Sequence, residues 1–337
     1  MTVPVITFFN NKGGVGKTSL VFHLAWMLTS LGHRVVVADL DPQANLTSAF
    51  LDERELESMW PATGVRPTIW GAIKPFQEGE GRIGQASLTS TGDERLALLA
   101  GDLALSSFED DLGSSWPKCL DGDRRSFRVI AAFSSVLRAA ADEHRADLVL
   151  VDVGPSLGAI NRAALVGSDH VVVPVAPDLF SLQGLRNLGP TLTTWRSGWK
   201  QRLGNSPHSR STLPTGRINP LGYVVLQHGV RLNRPVKAYQ RWMDQIPGEF
   251  RTSLLGSGAV DMTVQEDPLC LGQLKHYHSL VPLAQEARKP IFALTHADGA
   301  FGGHLQAARD SYVDFQHLAR RVLDAAHQAD EYTDSAL

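Results

Sequence analysis

Cysteine is scarce: 337 residues contain two, Cys119 and Cys270, which have no metal-ligand spacing and form no disulfide framework. Long hydrophobic runs are missing as well. No apolar stretch approaches the about 18–20 residues that cross a bilayer as a helix. There is no internal repeat and no long low-complexity tract, which removes the solenoid and low-complexity classes. The net charge is only −3, so no global excess of one sign draws the chain to a polyanion. The first apolar run begins at residue 3 and leaves no room for a signal peptide, so a cytoplasmic location is expected. What remains is a 43% hydrophobic chain, ample for the core of one large α/β domain or two smaller ones.

The informative segment lies near the start. Val3 to Phe9 is nearly continuously apolar, as in a strand buried on both faces of a parallel sheet. After Thr18, Leu20, Leu24, Leu28 and Leu31 recur at helical spacing, and Gly32 supplies a stop. Between strand and helix sits Lys12-Gly13-Gly14-Val15-Gly16-Lys17-Thr18. In such a turn, backbone amides and the positive end of the helix point at phosphates, and glycines permit the close approach. Lys17 would reach the β- and γ-phosphates and the Thr18 hydroxyl would ligate Mg²⁺. The ordinary phosphate-loop pattern places its first glycine at position 11. Here that residue is Asn11, and a second lysine, Lys12, comes directly after it.

Two further strands end in aspartates. Arg34 to Ala38 runs into Asp39-Leu40-Asp41-Pro42-Gln43, and Leu148 to Val151 runs into Asp152-Val153-Gly154-Pro155-Ser156-Leu157-Gly158. Carboxylates at the C-terminal ends of parallel strands face the ligand crevice of an open α/β sheet. A third strand, His170 to Val175, exits through Ala176-Pro177-Asp178.

Together these segments resemble the ParA/MinD family of ATPases with a deviant phosphate loop, most closely its ParA-type partition members. The resemblance is strong over 1–50 and 147–190 and weak elsewhere. It implies a doubly wound, mostly parallel α/β sheet with helices on both faces, binding ATP and Mg²⁺. Carried onto this sequence, the nucleotide-binding set is Asn11, Lys12, Gly13, Gly14, Val15, Gly16, Lys17, Thr18 and Ser19, with Pro174 and Asp178 on the base side. The metal set is Thr18, Asp39 and Asp152, with Asp152 acting through water at the end of a Walker B strand. The catalytic set is Lys12, Lys17 and Asp41. Asp41 would position or activate the attacking water, and Lys12 would cross a face-to-face homodimer to the partner's phosphates. Gly154 stands where the family's second switch usually has proline. No cysteine lies in either switch, which disfavours iron–sulfur relatives.

From Arg186 to Arg251, eleven Lys/Arg face two acids, a net +9 that leaves −12 for the rest. Such a segment is the expected footprint for non-specific DNA. Trp195, Trp199 and Trp242 within it would serve as base-stacking or core residues. A single domain is expected over 1–330, with insertions near 53–92, 114–128 and 198–217 and a tail at 331–337. The 198–217 segment, rich in Ser, Pro, Gly and Arg, reads as a mobile basic loop. Helices are expected within Leu232–Met243 and along the face Tyr312, Phe315, Leu318, Ala319, Val322 and Leu323.

The functional expectation is an ATP-switched dimer in partition or positioning of DNA, with slow hydrolysis stimulated by a partner protein. Because the chain starts at the first strand, it lacks the N-terminal DNA-reading extension of longer plasmid relatives, so DNA binding should be non-specific and nucleoid-associated. Three alternatives stay open. A MinD-like membrane organiser is disfavoured by the mixed charge of the C-terminal helix, where Asp310, Asp314 and Asp324 accompany Arg320 and Arg321. An ATP-gated regulatory or defence component would carry its specificity in the insertions. A tyrosine kinase on the same loop would need a tail of tyrosines, where only Tyr332 is found.

Overall fold

In the computed structural model, residues 3–334 are described apart from 62–63, 81–82, 229, 232–233, 236, 259 and 278; at 210, the rest of 227–239 and 332–334 only the backbone is described. The strands are β1 (Val5–Phe8), β2 (Val35–Asp39), β3 (Thr89–Ser90), β4 (Leu96–Leu99), β5 (Leu148–Asp152), β6 (His170–Val175), β7 (Asn219–His228), β8 (Val230–Arg231), β9 (Arg234–Pro235) and β10 (Cys270–Lys275). The helices are α1 (Lys17–Ser30), α2 (Asn45–Phe50), α3 (Glu53–Met59), α4 (Ile69–Gln77), α5 (Glu109–Lys118), α6 (Arg124–Ile130), α7 (Ala132–His144), α8 (Ala159–Val166), α9 (Leu179–Gly204), α10 (Lys237–Met243), α11 (Ile246–Phe250), α12 (Leu280–Ala287) and α13 (Gly303–Asp334).

Eight strands form one sheet in the order β10-β7-β6-β1-β5-β2-β4-β3. Every pairing in it is parallel except β3 with β4. The inner strands β1, β2, β4 and β5 are almost wholly apolar because both faces are covered, and alternation sorts their side chains between two cores. On one side Val5 and Phe9 of the first strand region join Val149 and Val151 beneath α4–α9. On the other, Ile6 and Phe8 join Leu148 and Leu150 beneath α1 and α13. This is the doubly wound sheet expected from the sequence. Strand order departs in opposite directions on the two sides of β1, which puts a crevice at its C-terminal end.

The segments expected as insertions hold regular structure. The 53–92 stretch forms α3 and α4, and 114–128 lies in α5, α6 and the short turn between them. Residues 198–204 continue α9, and the chain beyond Gly204 is tied down rather than loose. Trp199 Nε1 donates to the Pro214 carbonyl (2.8 Å), Asn205 Nδ2 donates to that of Leu120 (2.8 Å), and His208 Nε2 lies 2.9 Å from that of Arg124. The loop expected over 198–217 therefore starts only after Gly204, and its Asn205 and His208 meet the 114–128 segment. Trp195 and Trp199 are core residues, which corrects their base-stacking option. The expected helix over Leu232–Met243 begins at Lys237, with 232, 233 and 236 outside the described residues.

Phe315, Leu318, Ala319 and Val322 of α13 are buried against the sheet as the spacing predicts, while Tyr312 stays 37% exposed. The helix runs to Asp334, into the stretch expected as a tail. Among the described residues no helix is long and apolar enough to cross a membrane.

Candidate functional site: a phosphate loop facing two aspartates

Register builds the site. Asp39 of β2 lies beside Asp152 of β5, and Asp152 lies beside Phe8 of β1. The ends of three adjacent strands thus present the 10–16 loop and both carboxylates in one place. The loop turns through Gly14 at φ 72° and Gly16 at φ 96°, the left-handed region that glycine tolerates. A Cβ built on Gly13 or Gly14 would meet nothing within 4 Å, so the loop borders open space. Gly16 ends the loop as the N-cap of α1 without a side-chain cap, and no acid occupies the first turn. The amides at that helix end are left for an external anion. They open onto a cavity of about 680 Å³, lined by residues 12–19 together with Phe22, His23, Asp41 and Gln43.

The donor set fits a divalent cation. The Thr18 hydroxyl donates to Asp152 Oδ2 at 2.6 Å, while Asp152 Oδ1 is buried without a hydrogen-bond partner among the described residues. Burial pushes the Asp152 carboxyl up to about 6, partly offset by Lys17 and the Thr18 hydrogen bond. A cation beside Thr18 would satisfy that oxygen and favour the ionised form. Asp39 has a different setting. Its carboxylate accepts from Thr47 N (2.8 Å), Thr47 Oγ1 (2.7 Å) and Asp41 N (3.2 Å), and burial with the neighbouring Asp152 charge raises it to about 7. Its oxygens are engaged by the chain's own donors, and it holds the 39–47 turn that carries Asp41. Asp41 is nearly buried, accepts from Gln43 N at 3.0 Å and borders the cavity.

Lys12 is placed by Asn10. Asn10 Oδ1 accepts from Lys12 N at 2.9 Å and Asn10 Nδ2 donates to the Pro174 carbonyl at 2.6 Å. The Lys12 ammonium pairs with Asp178, which also caps α9 by accepting from Ser181 N at 2.8 Å. A second cavity of about 340 Å³ shares Val15, Gly16, Ser19, His23 and Val281 with the first and continues between Leu226, Tyr277 and Phe315. Pro174 and Asp178 line neither of these two cavities. The apolar walls of the second cavity are of a kind that takes a flat ring. No sequence spacing marked that cavity, because its walls come from five separate segments. Asn10 was missed because its contacts are made by the fold rather than by the motif.

The basic segment is less free than its count implies. Arg186, Arg217 and Arg251 are paired with Glu249, Asp330 and Asp267. Arg196 and Arg202 donate to the carbonyls of Ile218 and Trp116. Lys200 and Arg241 are exposed.

A parallel sheet, a glycine loop leading into a helix and an aspartate on the neighbouring strand define a P-loop nucleotide-binding fold. The AAA domain family model matches residues 3–204, more than half of the chain. The chain belongs to this family, on its ParA/MinD side. It is 32% identical over 198 residues to the chromosome-partitioning ATPase Soj of Thermus thermophilus, a match covering 59% of this chain and 65% of Soj. Among the first curated relatives the match spans 42% to 66% of their length. A solved structure from Corynebacterium diphtheriae is 25% identical with a TM-score of 0.71, covering 96% of this chain and 98% of that one. The septum site-determining protein MinD of Pyrococcus horikoshii, solved with Mg-ADP, shares the fold at 16% identity and a TM-score of 0.54, covering 96% of each chain.

Proposed function

We propose that this chain binds and hydrolyses ATP with Mg²⁺ as an ATP-switched homodimer that partitions or positions DNA. The observation that carries the reading is the pair of lysines at one phosphate loop. Lys17 sits buried within the loop beside Asp152, while Lys12, on the wall of the same cavity, is drawn aside into an ion pair with Asp178. In this reading Lys12 exchanges Asp178 for the phosphates of a second copy. Lys12 to Ser19 cradle the phosphates, with Asn11 at the loop's entry. Thr18 and Asp152 hold Mg²⁺, which supplies charge neutralisation to the transferring phosphoryl group. Asp39 supports that shell through the turn it braces. Asp41 orients the attacking water. The base occupies the apolar second cavity.

The DNA part rests on the charge of the 186–251 segment and on the partition role named for Soj. Five of the seven basic side chains described in this segment are engaged internally, so the contact should be modest and steeply salt-dependent. Turnover is slow and stimulated by a partner protein, and the dimer associates with the nucleoid.

Phosphate release from Mg-ATP tests the reading. Wild-type protein should turn over, Lys17→Ala should lose nucleotide binding, and Asp41→Ala should bind ATP without hydrolysing it. Unchanged hydrolysis in Asp41→Ala would sink its assignment. ATP-dependent retention on random duplex at low salt is expected, and its absence removes the DNA arm.

A further inference from the structure

Glu109 opens α5, and its carboxylate closes the end of a different helix. Oε1 accepts the amide hydrogen of Ala159 at 2.5 Å, and Oε2 accepts that of Ile160 at 2.9 Å. These are the first two amides of α8, whose own N-cap residue, Gly158, brings no side chain for the task. The approach is close: a Cβ on Gly158 would lie 2.6 Å from Glu109 Oε1. A carboxylate facing two orphan amides at a positive helix end makes charge-assisted hydrogen bonds, the stronger kind.

The capped helix in turn grips the loop that precedes it. Asn161, 1% exposed, donates through Nδ2 to the carbonyls of Gly154 (2.7 Å) and Ser156 (2.6 Å). Gly154 stands against Asp41, since a Cβ there would lie 3.2 Å from Asp41 Oδ1. Hydrogen bonds therefore run from Glu109 through the first turn of α8 and Asn161 to Gly154, whose Cα faces the Asp41 carboxylate. At its far end α5 is joined to α8 and α9 by Trp116, which has the Arg162 guanidinium 4.4 Å and that of Arg202 4.1 Å from its ring centroid.

We propose that Glu109 is a positioning residue for hydrolysis, holding the 154–158 loop in register with Asp41 from outside the nucleotide cavity. The inference rests on the ATPase reading above and deepens it by giving α5 a hold on the site. Positioning chemistry tolerates little displacement, about a hundredfold in rate for 1 Å. ATP binding depends on residues 11–19, none of which Glu109 contacts through a described hydrogen bond, so turnover and affinity separate.

The test is Glu109→Gln in the full chain, a variant that keeps the volume but loses the charge and one acceptor. Hydrogen exchange of the amides at 154–161, affinity for a fluorescent ATP analogue, and steady-state phosphate release are compared with wild type. Exchange should quicken about tenfold at these amides. kcat should fall about tenfold or more with analogue affinity kept within about twofold. Unchanged exchange overturns the clamp, and quickened exchange with unchanged kcat overturns the positioning role. A parallel fall of kcat, affinity and melting temperature assigns Glu109 to stability alone and also overturns it. If Glu109→Gln does not fold, Glu109→Asp, one methylene shorter, is read by the same outcomes. Wild-type protein that binds ATP without any turnover overturns the parent reading and the positioning role together, while the exchange measurement still reads the clamp itself.

Discussion

Lys12 is held in the lone subunit by a half-exposed ion pair with Asp178, 28% and 35% accessible at the two side chains. Pairs so exposed contribute at most about 1 kcal/mol. Asp178→Asn preserves the cap on α9, because asparagine caps as well as aspartate, yet releases the ammonium. Both subunits release one lysine, so the ATP-dependent dimer should tighten by up to about thirtyfold, measured by sedimentation at several protein concentrations; weaker dimerisation would contradict the parked-lysine account. His23 gives a second residue-level prediction. It stacks on Phe315 at 5.0 Å, its Nδ1 lies 2.6 Å from the Ser19 carbonyl, and burial lowers its pKa to about 4. A depressed histidine is neutral in the fold but charges in the unfolded chain below about 6.5, so its contribution is present at neutral pH and lost as pH falls from 6.5 towards 4. The loss is on the order of 3 kcal/mol. Urea melts of wild type against His23→Leu should show a shallower acid slope in the variant across that window, and equal slopes would contradict the assignment.

At this scale the sequence was legible where chemistry is contiguous. The loop from Lys12 to Thr18 carries its own geometry in its glycines. Glu109 was not legible as a cap for α8, because its partners lie about fifty residues away and are backbone amides. Pro174 and Asp178 are base-side residues only by the family resemblance, and the contacts the fold gives them, Asn10 on the Pro174 carbonyl and Lys12 on the Asp178 carboxylate, had no sequence signal.

Among the elements, α9 shows how tertiary burial extends a helix past weak local signals. It contains Gly189 and Pro190, and it runs on through Gly198 because Leu188, Leu192, Trp195 and Trp199 recur at helical spacing and are buried. Composition around 198–217 indicated a loop, and the burial that overrides it comes from residues distant in sequence. Gly189 is required where α9 crosses the turn at Arg251–Leu255, since a Cβ there would sit 1.8 Å from the Ser253 carbonyl oxygen. Gly189→Ala must push the two segments apart and should destabilise the chain by about 1–3 kcal/mol. A melting temperature equal to wild type would contradict that packing. Strands were the most legible elements, since a parallel sheet covered on both faces demands near-continuous apolar runs.

For the whole molecule, the sheet order places the 10–16 loop, Asp41 and Asp152 at one edge of the crevice, with Lys12 and the start of α9 beside them. Leu179 and Phe180, at the opening of that helix, are 51% and 72% exposed. The fold class could be read from strand and motif order together with the family resemblance those motifs carry. The distribution of charge could not be read by counting, because pairing partners such as Glu249, Asp267 and Asp330 are set by tertiary contacts. The central claim is that nucleotide joins two subunits through Lys12. Light-scattering mass of Asp41→Ala with Mg-ATP measures it most directly. The account predicts a dimer with ATP, a monomer without it, and a monomer in both conditions once Lys12→Ala is added. A Lys12→Ala, Asp41→Ala double variant that still dimerises with ATP would contradict it.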